Sequence, residues 1–415
     1  MDGIRFIHTA DLHLDSPFLG LKHFPKELFK HIQESTFTAF ERVIDSAIKG
    51  EVDFIVVVGD LFDGEDRSVK AQARLRRQME RLHEAGISAF ILHGNHDHLQ
   101  GNWIKLDMPD NVHIYGKEIE MIPFTSKRGD KVHLYGFSYG ERHVVERKIL
   151  DYQKIGNADF HIGLLHGHCE GGKSIHQPYA PFTIQELLQK EMDYWALGHI
   201  HMRQVLHEQP FIVYPGNIQG RHRNEQGDKG CYQVEILKNG ITSLTYIPTA
   251  TIKWECVDIY CRENNTLSEL YSKCKEEIDT MKDTNQQSIM VALTLHYSNQ
   301  LSNEIQQVIG NGEFLEMLQD GITFQEMFVW PYAIHRTLNS ISTGLMNSFM
   351  NNLNATVKDM KEEGVFEQTV SSLFSHIYGS RYLIEPDEEE KKELYNAAKE
   401  LIVLRIGEGE GRSRG

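Results

Sequence analysis

Short apolar runs alternate with polar turns through the first 250 residues, and this rhythm predicts a sheet-rich α/β region. The stretch DFIVVVGDLFD holds an unbroken, mostly β-branched run at 55–58, the pattern of a strand buried on both faces. Further strands are predicted from residue 4 and at 87–92, 131–137, 160–165, 194–197 and 211–214. A helix is predicted over 25–49, with Pro25 in its first turn. Its stripe of Phe29, Ile32, Phe40, Val43, Ile44 and Ala47 suits a core or a dimer face. A second helix over 68–85 carries Lys70, Arg74, Arg76, Arg77 and Arg81, with Arg67 just before it. That face is either solvated or a phosphate-contacting patch.

Beyond residue 250 the pattern changes. Strands at 254–261, 288–297 and 328–335 enclose helices at 266–281 and 303–318, a small βαβαβ unit. From 340 onward Ile341, Leu345, Phe349, Leu353, Val357 and Met360 recur every three or four residues until Gly364. A second helical stretch covers 365–378. A third starts at Asp387 with Glu390 three residues later. The chain is thus expected to divide into an α/β domain at 1–250, an α/β capping domain at 251–340, a helical region at 341–407 and a disordered Gly-rich tail at 408–415.

Composition narrows the function classes. The 415 residues can bury a large core, and no apolar run approaches a membrane span. No charged segment plus apolar run precedes the first strand, so no secretion signal is expected. Five Cys, an odd number without paired metal spacing, predict reduced thiols and a cytoplasmic protein. The net charge of −16 argues against simple electrostatic attraction to nucleic acid, but it is uneven. Residues 1–250 balance at −5 and residues 251–415 at −11, and 19 of 22 His lie in the first part.

Those histidines cluster where the strands end. Asp11 and His13 follow the first strand, two apart and on one face if the chain stays extended. Asp60 and Asp63 follow the second, Asn95 and His96 the third, and His166 the strand at 160–165. His199 and His201 alternate after 194–197, on one face of an extended segment, and Arg221, His222 and Arg223 follow the last strand. Each group alone also fits a strand followed by a polar turn, and Arg221–Arg223 fits a surface loop as well as a phosphate contact. Together, five strand ends offer Asp11, His13, Asp60, Asn95, His166, His199 and His201. That oxygen and imidazole mixture suits manganese, iron or zinc, and seven donors suit two metals better than one.

The series Asp11-Leu12-His13, Gly59-Asp60-Leu61-Phe62-Asp63, Gly94-Asn95-His96-Asp97, His166-Gly167 and Gly198-His199-Ile200-His201 resembles the calcineurin-like metallophosphoesterase superfamily. Within it, HTADLHLDSP, VVVGDLFD, ALGHIH and YPGNIQGR resemble the SbcD-type DNA repair exonucleases, which pair with an SMC-like ATPase. The resemblance implies an α/β, four-layer αββα sandwich holding two divalent ions, usually manganese. It puts Asp11, His13 and His201 on one metal, Asn95, His166 and His199 on the other, and Asp60 between them. His96 becomes the catalytic histidine. Asp63 stands where archaeal and eukaryotic relatives carry His, and as in many phosphatases it is expected to orient and charge His96. The implied function is manganese-dependent DNA exonuclease or endonuclease action in repair. The last helices then dock on the coiled coil of an SMC-like ATPase, and a homodimer is a further option. The alternatives are a stand-alone phosphodiesterase or phosphatase for small phosphoesters, and a non-enzymatic binding platform. The complete set of donors speaks against the last.

Overall fold

The run at 54–58 lies in the middle of a sheet, as its composition requires. In the computed structural model, residues 3–64, 68–101, 106–170, 179–337 and 344–360 are described, with isolated positions from 365 to 402. In chain order the first elements are β1 (Gly3–Thr9), α1 (Lys26–Lys49), β2 (Phe54–Val58), α2 (Val69–Glu84), β3 (Ser88–Leu92) and β4 (Val112–Ile114). There follow β5 (Glu120–Thr125), β6 (Lys131–Gly136), β7 (Phe160–His166), α3 (Ile184–Leu188), β8 (Tyr194–Gly198), β9 (Gln204–Glu208) and β10 (Phe211–Tyr214). Then come β11 (Gly230–Leu237), β12 (Thr242–Pro248), β13 (Ile252–Tyr260), α4 (Leu267–Thr284), β14 (Ser288–His296), α5 (Asn303–Gly310), α6 (Glu313–Gln319) and β15 (Val329–Arg336). Residues Met1–Thr337 form one compact unit, and Leu338–Gly415 a second that contains α7 (Gly344–Asp359).

Two six-stranded sheets carry the first unit. Their orders are β12-β11-β1-β2-β3-β4 and β5-β6-β7-β8-β10-β9. Strands β1 to β4 run parallel, as do β6, β7, β8 and β10, whereas β11, β12, β5 and β9 pair antiparallel. Alternation along β2 shows how the layers stack. Phe54, Val56 and Val58 share one core with Val132, Ile162, Leu164 and Ala196 of the other sheet. Ile55 and Val57 face the opposite way, onto Phe40, Val43 and Ile44 of α1 and Leu75 and Met79 of α2. The outer face of the second sheet has its own core under α3. The result is the expected αββα sandwich. Phe54 stacks on Phe6 at 4.8 Å and meets Phe90 and Phe124 edge-on. Burying one such side chain stabilises the fold by about 1.5–3 kcal/mol.

The stripe of α1 is core, although Phe29 is only partly buried. Its second half lies under the first sheet. Its first half, Leu28 and Ile32, packs with Trp254, Met290 and Trp330 of the third sheet, β13-β14-β15, which is parallel throughout. The other face of that sheet is covered by α4, α5 and α6.

Two local expectations need correcting. Pro25 is the N-cap of α1 rather than part of its first turn. The helix expected over 303–318 is two, because Gly310-Asn311-Gly312 breaks it and Gly312 takes φ +92°. Of the expected terminal helices, the first is α7. The stretch 365–378, the helix from Asp387 and the tail lie largely outside the described residues, as does Arg67.

Candidate metal centre

The strand ends do not continue as extended chain. Asp11, His13, Asp60 and His199 adopt φ of 51°, 43°, 50° and 100°, in the left-handed region that non-glycine residues rarely enter. Each such residue costs on the order of 1–3 kcal/mol, a strain that gathers at functional sites. The expectation that Asp11 and His13, and likewise His199 and His201, share one extended face is therefore wrong. Sharp turns aim each side chain separately. The first two loops run side by side, with the N–H groups of Asp11, His13 and Leu14 donating to the carbonyls of Gly59, Asp60 and Leu61. Gly59, at φ +82°, lies so close to the His166 ring that a Cβ there would sit 2.1 Å from Nδ1. This explains the glycine that precedes Asp60.

The turns converge on one buried cluster. Asp11, Asp60, His13, His166 and Asn95 are buried, and His201 is partly so. Among the described residues, three sets of donor atoms lie within 4.8 Å of one another: Asp11, His13 and His201; Asp11, Asp60 and His166; and His13, Asp63 and His96. His13 Nε2 is 3.0 Å from His201 Nε2 and 3.9 Å from Asp60 Oδ2. His166 Nε2 is 3.5 Å from Asp60 Oδ2 and 3.2 Å from Asn95 Oδ1. His199 joins none of the three sets among the described residues. Its ring is 5.3 Å from that of His166, and its N–H donates to both Asp11 oxygens.

Groups behind the imidazoles fix their orientation. His13 Nδ1 meets Asp63 Oδ1 at 3.1 Å, His201 Nδ1 meets Glu225 Oε1 at 2.6 Å, and His166 Nδ1 meets the Val58 carbonyl at 3.0 Å. Carboxylates and carbonyls only accept, so each Nδ1 carries a hydrogen, and the Nε2 atoms of His13 and His201 present lone pairs to the cluster. Two such lone pairs converge at 3.0 Å between His13 and His201, beside the Asp11 carboxylate. A divalent cation satisfies that arrangement, and imidazoles backed by acceptors are how proteins hold one. The residues therefore fit a metal.

Asp63 does more than the sequence suggested. Its Oδ1 also lies 3.3 Å from His96 Nδ1, and its Oδ2 takes the Ser16 hydroxyl at 2.7 Å and Arg221 Nη1 at 2.8 Å. Burial works to raise its carboxyl pKa. The hydrogen bonds from His13 and His96 and the Arg221 charge outweigh that and hold it well below the usual carboxylate range. In turn, burial works to lower the pKa of His96, but its bond to Asp63 and the charges of Asp60 and Asp63 raise it. The Arg221 side chain is only 13% exposed, so it belongs to the site and not to a surface loop. His222 points outward and reaches Glu225 at 3.4 Å, and Arg223 is partly buried.

Four contributors were not singled out by the sequence. Glu225 orients His201, and Lys229 Nζ donates to the His201 carbonyl at 3.1 Å. Asp97 is fully buried and accepts from the Leu61 and Gly94 N–H groups and from His93 Nδ1, tying the second loop to the third. Ser16 braces Asp63. Asp97 and Ser16 stood inside quoted motifs, whereas Glu225 and Lys229 did not. Three arginines of α2 are paired with acids: Arg74 with Glu34, Arg76 with Glu80 and Arg81 with Asp45.

Comparison with known proteins agrees with this architecture. The model of the calcineurin-like phosphoesterase family matches residues 4–203. The uncharacterized metallophosphoesterase YhaO of Bacillus subtilis is 38% identical over 408 residues, which is 97% of this chain and 98% of that protein. The DNA double-strand break repair protein Mre11 of Sulfurisphaera tokodaii is 32% identical over 205 residues, 48% of this chain and 50% of that protein. Mre11 of Thermoplasma acidophilum is 24% identical over 307 residues, 70% of this chain and 76% of that protein. Among the described residues no helix is long and apolar enough to cross a membrane.

Proposed function

The chain belongs to the calcineurin-like phosphoesterase family, and on that premise we propose that it is a dinuclear-metal phosphodiesterase. Its reading at finest grain is a manganese-dependent DNA exonuclease or endonuclease that acts in repair with an SMC-like ATPase. The observation that carries the phosphodiesterase reading is the set of imidazoles whose Nδ1 atoms are all held from behind, so that their Nε2 atoms converge with Asp11 and Asp60. In this reading Asp11, His13 and His201 hold one ion, Asn95, His166 and His199 hold the other, and Asp60 is shared. Two divalent ions supply charge neutralisation at the phosphate and a lowered water pKa.

The chain's own residues do the rest. His96, partly exposed beside the cluster, donates its Nδ1–H to Asp63, and the charges of Asp60 and Asp63 favour a second proton, on Nε2. It delivers that proton to the leaving oxygen. Asp63 fixes the ring and keeps it charged, and Arg221 neutralises Asp63 from the other side. The similarity to Mre11 proteins, named for double-strand break repair, supports DNA as substrate. The reading assigns residues 341–407, which include α7, to partner docking.

A stand-alone enzyme for small phosphoesters is the second reading. It is favoured by the −16 net charge and by the pairing of three α2 arginines with acids. One experiment separates the two. Purified protein is assayed on end-labelled single- and double-stranded DNA and on bis(4-nitrophenyl) phosphate, with manganese, with EDTA and as His96→Ala. DNA cleavage that needs both metal and His96 supports the nuclease, and turnover of the small ester alone supports the second reading. Inactivity on both substrates refutes the phosphodiesterase itself.

A further inference from the structure

Two groups hold the outer oxygen of Asp63: the Ser16 hydroxyl at 2.7 Å and Arg221 Nη1 at 2.8 Å. Both stand on loops that lead away from the metal donors to the third sheet. Arg221 opens the loop 220–227, which also carries Glu225. Trp254 of β13 grips that loop at its two ends. Its indole Nε1 donates to the Gly220 carbonyl at 3.1 Å, and its own carbonyl accepts from the Gly227 N–H at 3.1 Å. Gly220 must lack a side chain, since a Cβ there would lie 2.8 Å from the Glu225 carbonyl oxygen and 3.1 Å from Trp254 Cδ1. Inside the loop the Arg221 N–H donates to Glu225 Oε2 at 2.7 Å. Just before it, the buried Gln219 donates to the Ile252 carbonyl at 2.6 Å and accepts from the Thr251 N–H at 2.8 Å. The path from β13 to Arg221 is therefore short and fully hydrogen-bonded.

Ser16 has an equally short path. Leu14 bridges to Phe62, and two residues after Ser16 comes Phe18, at φ +45°. That left-handed conformation is rare for a bulky residue. It persists where the surroundings over-determine it. Here the surroundings are aromatic: Phe18 is buried in the cluster that contains Trp254, Trp330 and Phe324. The Leu21 N–H closes the turn onto the Phe18 carbonyl at 3.0 Å. One aromatic core thus anchors the segments of both groups that hold Asp63, and none of the roles assigned to the phosphodiesterase uses Phe18 or Trp254.

We propose that Trp254 and Phe18 are positioning residues for phosphodiester hydrolysis. The core of the third sheet fixes where Arg221 and Ser16 meet Asp63, and Asp63 in turn fixes the direction of the His96 ring. This rests on the phosphodiesterase reading and deepens it with a division of labour. The first two sheets supply the metal donors, and the third sheet aims the proton donor. A group that must meet a leaving oxygen loses rate steeply when it is misplaced, while substrate affinity need not change.

The test is a double-mutant cycle on bis(4-nitrophenyl) phosphate at saturating manganese. Trp254→Phe keeps a ring but removes the N–H that holds Gly220. It is expected to lower kcat about fivefold with KM unchanged, and Trp254→Leu to lower it further. Phe18→Leu, which acts through Ser16, is expected to lower kcat about threefold, and it keeps the test decisive if the Trp254 variants do not fold. In an Asp63→Asn background each substitution should cost less than about twofold more, because the residue it acts through is already disabled. Losses that multiply in full in that background overturn the proposal, as do changes confined to KM or a kcat unaltered in every single variant. In each of those cases wild type still turns over the ester and the phosphodiesterase stands. A wild type inactive on phosphodiesters overturns both.

Discussion

The two halves of the candidate centre use the same donors but are built on different supports. Around His13 and His201 the imidazoles lean on carboxylates, Asp63 and Glu225. Around His166 the support is a peptide carbonyl, that of Val58, and the nearest neutral donor is Asn95. Their protonation differs too. Burial, then the charge of Arg221, pushes His13 down to about 4 despite its bond to Asp63. At His166 burial also works downward, but the Asp60 carboxylate overcomes it and lifts the ring to about 9. One half therefore offers bare lone pairs backed by anions. The other holds a proton against Asp60 until something more positive displaces it. Two sites of similar composition need not bind metal alike, because the groups behind the donors set how much charge each can accept.

The shared residue gives the harshest test. Asp60→Ala removes the carboxylate that faces both His13 and His166. Turnover should fall at least about a thousandfold, and metal content should drop in both halves. Loss of one metal equivalent only, measured by elemental analysis, would mean Asp60 serves a single half. Gly94→Ala comes next. Its Cβ would sit 2.3 Å from Asp60 Oδ1 and 2.7 Å from His166 Nε2, so the carbonyl-supported half should suffer first. Activity is expected to fall roughly a hundredfold, with the metal equivalent of the carboxylate-supported half retained.

The carboxylate supports can be tested separately. Asp63→Asn keeps the shape but leaves His96 without its charge partner. We expect kcat to fall by about 10–100-fold and the alkaline limb of the pH profile to move down, because the pKa of His96 is no longer raised. An unaltered profile would reduce Asp63 to a brace for His13. Glu225→Gln weakens the backing of His201 alone, and about tenfold lower affinity is expected in that half with the other unchanged. Equal weakening of both halves would erase the distinction drawn between them.

How much of this the sequence disclosed follows from what sequence patterns encode. A doubly buried strand such as 54–58 must be continuously apolar, so the sheets and the residues at their ends could be read directly. Which face of β2 meets which layer could not be, because both faces are equally apolar. The donors were legible as residue types but not as directions. Extended geometry was assumed where Asp11, His13, Asp60 and His199 turn left-handed. Glu225 escaped notice because a carboxylate supporting His201 from behind has no fixed spacing from it. Arg221 stood in a basic triplet whose other members take different environments, and only the fold separates it from His222.

The smallest effect is also the most specific to the comparison. In the metal-free protein the raised His166 pKa keeps a second proton on that ring below pH about 9, whereas His13 carries only its Nδ1 hydrogen above about 4. Asp11, which burial lifts to about 6, is ionised above that value. Between these limits metal must displace the His166 proton and no proton from His13. Saturation with manganese near pH ~7 should therefore release about one proton per chain, seen as a dependence of calorimetric binding heat on the ionisation enthalpy of the buffer. The sign follows from the displaced proton: affinity in the His166 half rises with pH, by up to about tenfold per unit, and levels off near 9. The His13 half should stay flat above about 6. His166→Asn should abolish the release. If the proton count survives that substitution, the proton resides elsewhere in the cluster, and the contrast must rest on the carboxylate and carbonyl supports alone.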